Sequence, residues 1–284
     1  MKFTKMHGCG NDYIYIDGNR ERIPEDKRPA AVRFLSDRHF GAGGDGVIFI
    51  NPSSEADFEM EMYNADGSRA EMCGNGIRCV AKYVYDKGLT DNKEFTIVSA
   101  GMCKKISLTT REGKAVTARV DMGRPELKAE KIPVIASGGQ VIDEEITVQG
   151  ETYRMTCVSM GNPHAVVFME DIKQMQIETI GPQFENHPRF PKRINTEFVH
   201  VIDRQNVEMR VWERGTGETL ACGTGCCAVA AACVLNGFTD RNVTVHVLGG
   251  SLSIEWDERE DTIYMTGPAE TVYEGEIDMA LLTD

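Results

Sequence analysis

Two stretches of this chain begin alike. Cys73-Gly-Asn-Gly76 and Cys222-Gly-Thr-Gly225 each run into a helix-like segment, and each meets a glycine fifteen residues after its first cysteine, at Gly88 and Gly237. The two cysteines are 222 − 73 = 149 positions apart. The same shift lays Glu61-Met-Tyr-Asn64 on Arg210-Val-Trp-Glu213, Val98-Ser-Ala-Gly101 on Val247-Leu-Gly-Gly250, and Asp45-Gly46-Val47 on Ile194-Asn195-Thr196. A shift of 151 lays Gly10-Asn11-Asp12 on Gly161-Asn162-Pro163, and Met122-Gly-Arg-Pro125 resembles Met265-Thr-Gly-Pro268. Chance alignment of turn glycines accounts for Gly101 with Gly250 but not for a whole ordered series. A period of this size gives two duplicated domains rather than a solenoid.

The halves are expected at 1–121 and 122–270, with the tail 271–284 a candidate for returning to the first. Runs rich in β-branched and aromatic residues predict strands at Tyr13–Ile16, Gly46–Ile50, Phe58–Tyr63, Phe95–Val98, Lys104–Thr109 and Val116–Asp121. In the second half they fall at Ala165–Phe168, Val243–Val247, Leu252–Trp256 and Thr262–Met265. Helices are expected over Glu25–His39, after Pro24, and over its counterpart Ile172–Glu185. Cys73–Lys87, closed by Gly88, is another. The helix from Cys222 carries no charge between Cys226 and Leu235, so it should be buried on every side, with strands around it and only its amino end open to a ligand. The Pro, Ser and Gly of Pro133–Gly139 suggest a hinge.

Charge narrows the partners. The formal net charge is −13 and there is no Lys/Arg run of five, so nucleic acid is not an expected partner. The amino terminus shows no apolar signal core, and Cys222–Leu235 is too short to span a bilayer, so no membrane partner is expected either. Nine cysteines without a signal segment read as reduced thiols in the cytoplasm rather than a disulfide framework.

The first N–H groups of a helix lack internal partners and carry about half a positive charge. A thiolate placed there is stabilised and its pKa falls. The glycines let backbone approach a bound anion closely. Each CGxG therefore suits a thiolate or a carboxylate. Two such sites brought to one amino acid would set a sulfur on each face of its α-carbon, one removing the proton as thiolate and the other returning one as thiol. No cofactor is needed. Zinc fits less well, because no CxxC exists, and no metal is expected. Cys9, Cys79, Cys103, Cys157, Cys226, Cys227 and Cys233 read as small core residues, although the adjacent Cys226 and Cys227 are also a redox candidate. Gly41–Gly46 lacks the order of a phosphate loop and reads as a turn.

These residues resemble the diaminopimelate epimerases, cofactor-independent enzymes that interconvert LL- and meso-diaminopimelate for lysine and peptidoglycan synthesis. The matching stretches are Lys5-Met-His-Gly-Cys-Gly-Asn-Asp12, Tyr63-Asn-Ala-Asp-Gly-Ser68, Cys73-Gly-Asn-Gly76, Val158-Ser-Met-Gly-Asn-Pro-His164, Trp212-Glu-Arg-Gly215, Glu218-Thr219, Ala221-Cys-Gly-Thr-Gly225 and Met265-Thr-Gly-Pro-Ala269. The resemblance implies an α/β (α+β) fold of two pseudo-symmetric halves, each a curved mixed or antiparallel sheet around a central helix, with the active site between them. It implies Cys73 and Cys222 as the acid–base pair and His164 and Glu213 as groups that set their ionisation. Asn11, Asn64, Asn162, Asn195, Glu213 and Arg214, with backbone at Gly74, Asn75, Gly223 and Thr224, would hold the substrate. It also implies a homodimer.

Taken without the resemblance, Asn64 suits a turn, Asn11 a cap, Arg214 the surface, and His164 a structural hydrogen bond. Two departures stand out. Gly46 replaces a glutamine that many members carry against the substrate, and Cys9 replaces a leucine and reads as an apolar filler. The alternatives are a two-thiol racemase of another amino acid, or a non-catalytic amino-acid-binding or thiol-sensing protein on the same fold.

Overall fold

Each CGxG cysteine sits in extended backbone just before a thirteen-residue helix, α2 (Gly74–Asp86) and α4 (Gly223–Leu235). The computed structural model describes residues 1–70, 73–278 and 280. The chain divides into two compact units, Met1–Val120 with Gly267–Asp284, and Asp121–Thr266.

In the first unit the strands are β1 (Lys2–Gly8), β2 (Asn11–Asp17), β3 (Gly46–Asn51), β4 (Phe58–Asn64), β5 (Glu94–Ser99), β6 (Met102–Arg111), β7 (Lys114–Gly123) and β17 (Glu270–Glu276). They lie in the order β17–β1–β2–β3–β4–β5–β6–β7. The pairs β2–β3 and β4–β5 are parallel and the rest antiparallel. The parallel crossovers carry α1 (Arg28–Ser36) and α2, as parallel neighbours require.

In the second unit the strands are β8 (Glu144–Val148), β9 (Glu151–Ser159), β10 (Pro163–Phe168), β11 (Asn195–Asp203), β12 (Asn206–Glu213), β13 (Gly217–Thr219), β14 (Asn242–Val247), β15 (Gly250–Asp257) and β16 (Thr262–Pro268). Their order is β8–β9–β10–β11–β12–β14–β15–β16, with β13 folded back on β12. The parallel pairs, β10–β11 and β12–β14, carry α3 (Ile177–Glu185) and α4. The register repeats as well. Val47 pairs Tyr63 in the first unit, and 149 positions on, Thr196 pairs Trp212 in the second.

The central helices differ in how completely they are enclosed. From Gly225 to Cys233 every residue of α4 is buried, and the helix packs on β9, β10, β11, β14 and β15. Alanine and cysteine side chains are small enough for strands to approach on all sides. In α2 the amino-terminal residues Gly74–Ala81 are buried against β1, β2 and β6, while Lys82, Tyr83 and Tyr85 are half-exposed.

Several elements differ from expectation. The Glu25–His39 helix is a 3₁₀ turn at Glu25–Lys27 followed by α1, which stops at Ser36. There Asp37 Oδ1 takes the amides of His39 and Phe40 and turns the chain out of the helix. The Ile172 helix starts only at Ile177, because Asp171 Oδ1 accepts from the amides of Lys173 and Gln174 in a local turn. Pro133–Gly139 is not a hinge. It lies inside the second unit, with Ile132 and Val134 in that unit's core and the Ile135 amide bonded to the Arg189 carbonyl. Cys103 is exposed on β6, where alternation turns it outward, whereas the other cysteines read as core are buried.

Candidate active site

Two helix starts built alike carry the two cysteines. Cys73 and Cys222 are the N-cap residues of α2 and α4, at φ/ψ of −124°/114° and −115°/111°. Each sulfur accepts from the third helical amide, Gly76 N at 3.3 Å and Gly225 N at 3.4 Å. A sulfur thus takes the capping role usually given to a serine or aspartate oxygen. The remaining first-turn amides of Gly74 and Asn75, and of Gly223 and Thr224, belong to the same positively polarised ends.

In the first unit, Cys73 is half-buried and its Sγ donates to Asn11 Oδ1 at 3.2 Å. Asn75 Nδ2 reaches the same oxygen at 3.4 Å, and Asn11 Nδ2 donates to Asp45 Oδ2 at 2.8 Å. Behind them, Arg38 Nη2 joins Asp12 at 2.7 Å to Asp45 at 2.9 Å, and Lys5 holds Asp12. Asn64 is exposed at the end of β4, its Nδ2 on Ser68 Oγ at 3.0 Å. Beneath the helix start lies Arg78, fully buried, donating to Gly74 O (3.0 Å), Asn75 Oδ1 (3.0 Å) and Pro268 O (3.1 Å). Cys9 Sγ lies 3.9 Å from it, and Cys9 is a buried filler whose thiol burial pushes up.

In the second unit the surroundings are acidic. Cys222 is buried, with Thr224 Oγ1 at 3.5 Å. Burial, then the charges of Glu213 and Glu197, push its thiol well above the ordinary range, outweighing the Thr224 hydroxyl and the Gly225 amide. The expectation of a thiol acidified by the helix start is therefore overturned at Cys222, because desolvation and two carboxylates dominate there. Burial also raises Glu213, whose Oε1 accepts from Thr219 Oγ1 at 2.5 Å. His164 is fully buried between Glu197 Oε1, 2.7 Å from Nδ1, and Asn162 Oδ1, 3.0 Å from Nε2. Asn195 is a brace: its Nδ2 donates to Pro163 O at 2.8 Å and its Oδ1 accepts the Arg214 amide at 2.9 Å. Arg214 itself is half-buried, with Nη1 on Lys192 O at 3.1 Å.

One nitrogen, oxygen and sulfur atom from His164, Glu197 and Cys222 lie within 4.8 Å of one another.

Chains similar in sequence to this one are well represented among known proteins. The diaminopimelate epimerase family model matches residues 3–128 and 156–272. A diaminopimelate epimerase of Methanococcus maripaludis (strain C5) is 56% identical over 98% of this chain and 100% of its own length, and one of Acetivibrio thermocellus is 53% identical over 98% and 99%. The chain belongs to the diaminopimelate epimerase family. Its fold is shared more widely. A probable proline racemase from Agrobacterium radiobacter K84 superposes at a TM-score of 0.72 with 14% identity, covering 98% of this chain and 93% of its own. A hydroxyproline epimerase from Agrobacterium vitis superposes at 0.68 with 16% identity, covering 98% and 90%.

Within each unit the structure gathers most of the expected site residues: Cys73, Gly74, Asn75 and Asn11 in one, Cys222, Gly223, Thr224, Glu213, His164 and Asn162 in the other. Two buried charged groups at these helix starts went unread in the sequence, Arg78 and Glu197. The signal for Arg78 was a lone cation four residues after Gly74 at a buried helix start. That for Glu197 was a carboxylate two residues after Asn195 and directly before the apolar pair Phe198-Val199. At Gly46 a Cβ would fall 2.0 Å from Tyr63 O, so this backbone does not admit the side chain that the resemblance led one to look for there. Among the described residues no helix is long and apolar enough to cross a membrane.

Proposed function

We propose that this chain epimerises diaminopimelate between its LL and meso forms by a two-cysteine, two-base exchange at the α-carbon. The observation that carries the reading is the pair of thiols capping equivalent helices within a chain of the diaminopimelate epimerase family. In this scheme one sulfur, as thiolate, takes the α-proton, and the electron pair left on carbon spreads into the adjacent carboxylate. The other sulfur, as thiol, delivers a proton from the opposite face. One C–H bond breaks and one forms, with no change in oxidation state. Charge growing on the carboxylate is met by first-turn helix amides, those of Gly74, Asn75, Gly223 and Thr224, each fixed in direction by its own helix. The buried, carboxylate-flanked Cys222 suits the thiol form between turnovers.

Asn11, Asn64, Asn162, Arg214 and Glu213 are the proposed substrate holders. A distal carboxylate suits the guanidinium of Arg214, and a distal ammonium suits amide oxygens. Asn195 serves the site by bracing Pro163 and the Arg214 backbone. The reading carries with it a cytoplasmic homodimer, for which sedimentation gives the test of mass. The deciding experiment is incubation of LL-diaminopimelate with the protein in deuterated water. Deuterium at one α-carbon together with meso product is expected. Absence of both overturns the reading.

A further inference from the structure

Glu197 is a fully buried carboxylate on β11. Burying a charge without partners costs several kcal/mol, so such a group needs a reason to be there. One oxygen, Oε1, lies 2.7 Å from His164 Nδ1, and the other, Oε2, has no hydrogen-bond partner. The same carboxylate lies within 4.8 Å of both the His164 ring nitrogen and the Cys222 sulfur. Its closeness to the start of α4 depends on Gly225, where a Cβ would stand 2.7 Å from Oε1.

The groups facing this carboxylate come from three elements: His164 from β10, Glu213 from β12 and Cys222 from the start of α4. Both ring nitrogens of His164 face oxygen acceptors, Glu197 Oε1 and Asn162 Oδ1. A neutral imidazole can donate to only one of them. The ring and the carboxylate thus share the short Nδ1···Oε1 hydrogen bond. This sharing fixes the ring's orientation, since turning it would break both contacts. An anion at this range in a dry interior also disfavours a second negative charge on sulfur.

We propose that Glu197 is a positioning residue of the Cys222 centre, orienting His164 through Nδ1 and keeping the Cys222 sulfur protonated until it delivers its proton. The inference rests on the epimerase reading for its catalytic meaning, but its electrostatic half is measurable without any substrate.

Glu197→Gln keeps the shape and removes the charge. Two readouts test it. Alkylation of Cys222 by iodoacetamide, followed by peptide mass mapping against pH, should reach half-maximum about one pH unit lower in Glu197→Gln than in the parent protein. Epimerisation of LL-diaminopimelate should lose roughly tenfold or more in kcat, with the alkaline limb of its pH profile moving down, since the thiol loses its proton earlier. Glu197→Asp, which retains the charge, should restore most of the alkylation profile, and it serves as the test variant if Glu197→Gln does not fold. An alkylation profile unchanged in Glu197→Gln overturns the proposal whatever the enzyme's substrate. So does a kcat loss with an unmoved alkaline limb, which marks a merely structural residue. A parent protein that shows the alkylation shift on mutation but no epimerisation instead sinks the epimerase reading and leaves the electrostatic role of Glu197 standing.

Discussion

Gly76 and Gly225 occupy the same place in the two CGxG motifs, the third helical residue, yet their surroundings predict opposite tolerance of a methyl group. Alanine in a helix gains about 1 kcal/mol over glycine from backbone entropy alone. At Gly76 the added Cβ would stand 2.7 Å from Ile48 Cδ1 and 3.5 Å from Cys73 Cβ. The isoleucine contact is the far end of a rotatable side chain, so the overpacking cost is taken at the low end, about 1 kcal/mol, and the net change is near zero. At Gly225 the Cβ would stand 2.7 Å from Glu197 Oε1, 3.2 Å from Cys222 Cβ and 3.3 Å from its sulfur. That carboxylate is tied to His164 at 2.7 Å and fully buried, so it cannot move without loosening the contact. Overpacking of about 1–3 kcal/mol and a charged hydrogen bond of about 1.5–3 kcal/mol, less the helix gain, leave Gly225→Ala destabilised by roughly 2–5 kcal/mol. Urea unfolding of the two single variants beside the parent measures the difference. Equal midpoints for the two variants, or a larger loss for Gly76→Ala, would refute the reasoning.

Cys73→Ser and Cys222→Ser should each lower turnover by roughly 10²-fold or more in a coupled epimerisation assay, because each removes one of the two proton carriers; near-parental turnover in either variant breaks the two-base scheme. Arg78→Met leaves Asn75 Oδ1 and Pro268 O without their buried donor, and urea titration should show about 2–5 kcal/mol lost, with Arg78→Lys recovering only part. Although burial works against it, hydrogen bonds from Arg38 and Lys5 hold the Asp12 carboxyl below its usual range. Its contribution is therefore present above the ordinary aspartate pKa and fades as pH falls through the depressed value. Asp12→Asn should cost about 1 kcal/mol at neutral pH and nothing in strong acid, by denaturation at a series of pH values.

The parts of the fold that were legible are those fixed by local rules. A cysteine followed by Gly-x-Gly and a small-residue run announces a capped helix, and α2 and α4 lie where Cys73 and Cys222 put them. An uncharged run such as Cys226–Leu235 announces burial on all sides, and α4 is enclosed. The strands β1, β8, β9, β11, β12, β13 and β17 were not read, because sequences such as Lys2–Gly8 and Glu270–Glu276 mix charge with apolar residues, and it is pairing with a neighbour that makes them strands. Arg78 and Glu197 were missed for a related reason. A single charge reads as surface unless the partners that compensate it are known, and those partners come from distant segments: Pro268 for Arg78, His164 for Glu197. The ionisation of Cys222 shows the same limit. Its helix start is visible in sequence, but the carboxylates of Glu197 and Glu213 that outweigh it arrive from other strands.

The matching strand orders hide one difference in connectivity. β9 is flanked by β8, which immediately precedes it, whereas its counterpart β1 is flanked by β17, the last strand to be made. On a ribosome, where chains emerge amino end first, residues 121–266 hold all their own partners soon after they appear. The older amino-terminal segment must wait, with one border of β1 unpaired and Arg78 lacking Pro268, until the whole second unit has been made. The later-born unit is thus the earlier to be complete, and the emergence of residues 267–276 is the event that lets the first one close.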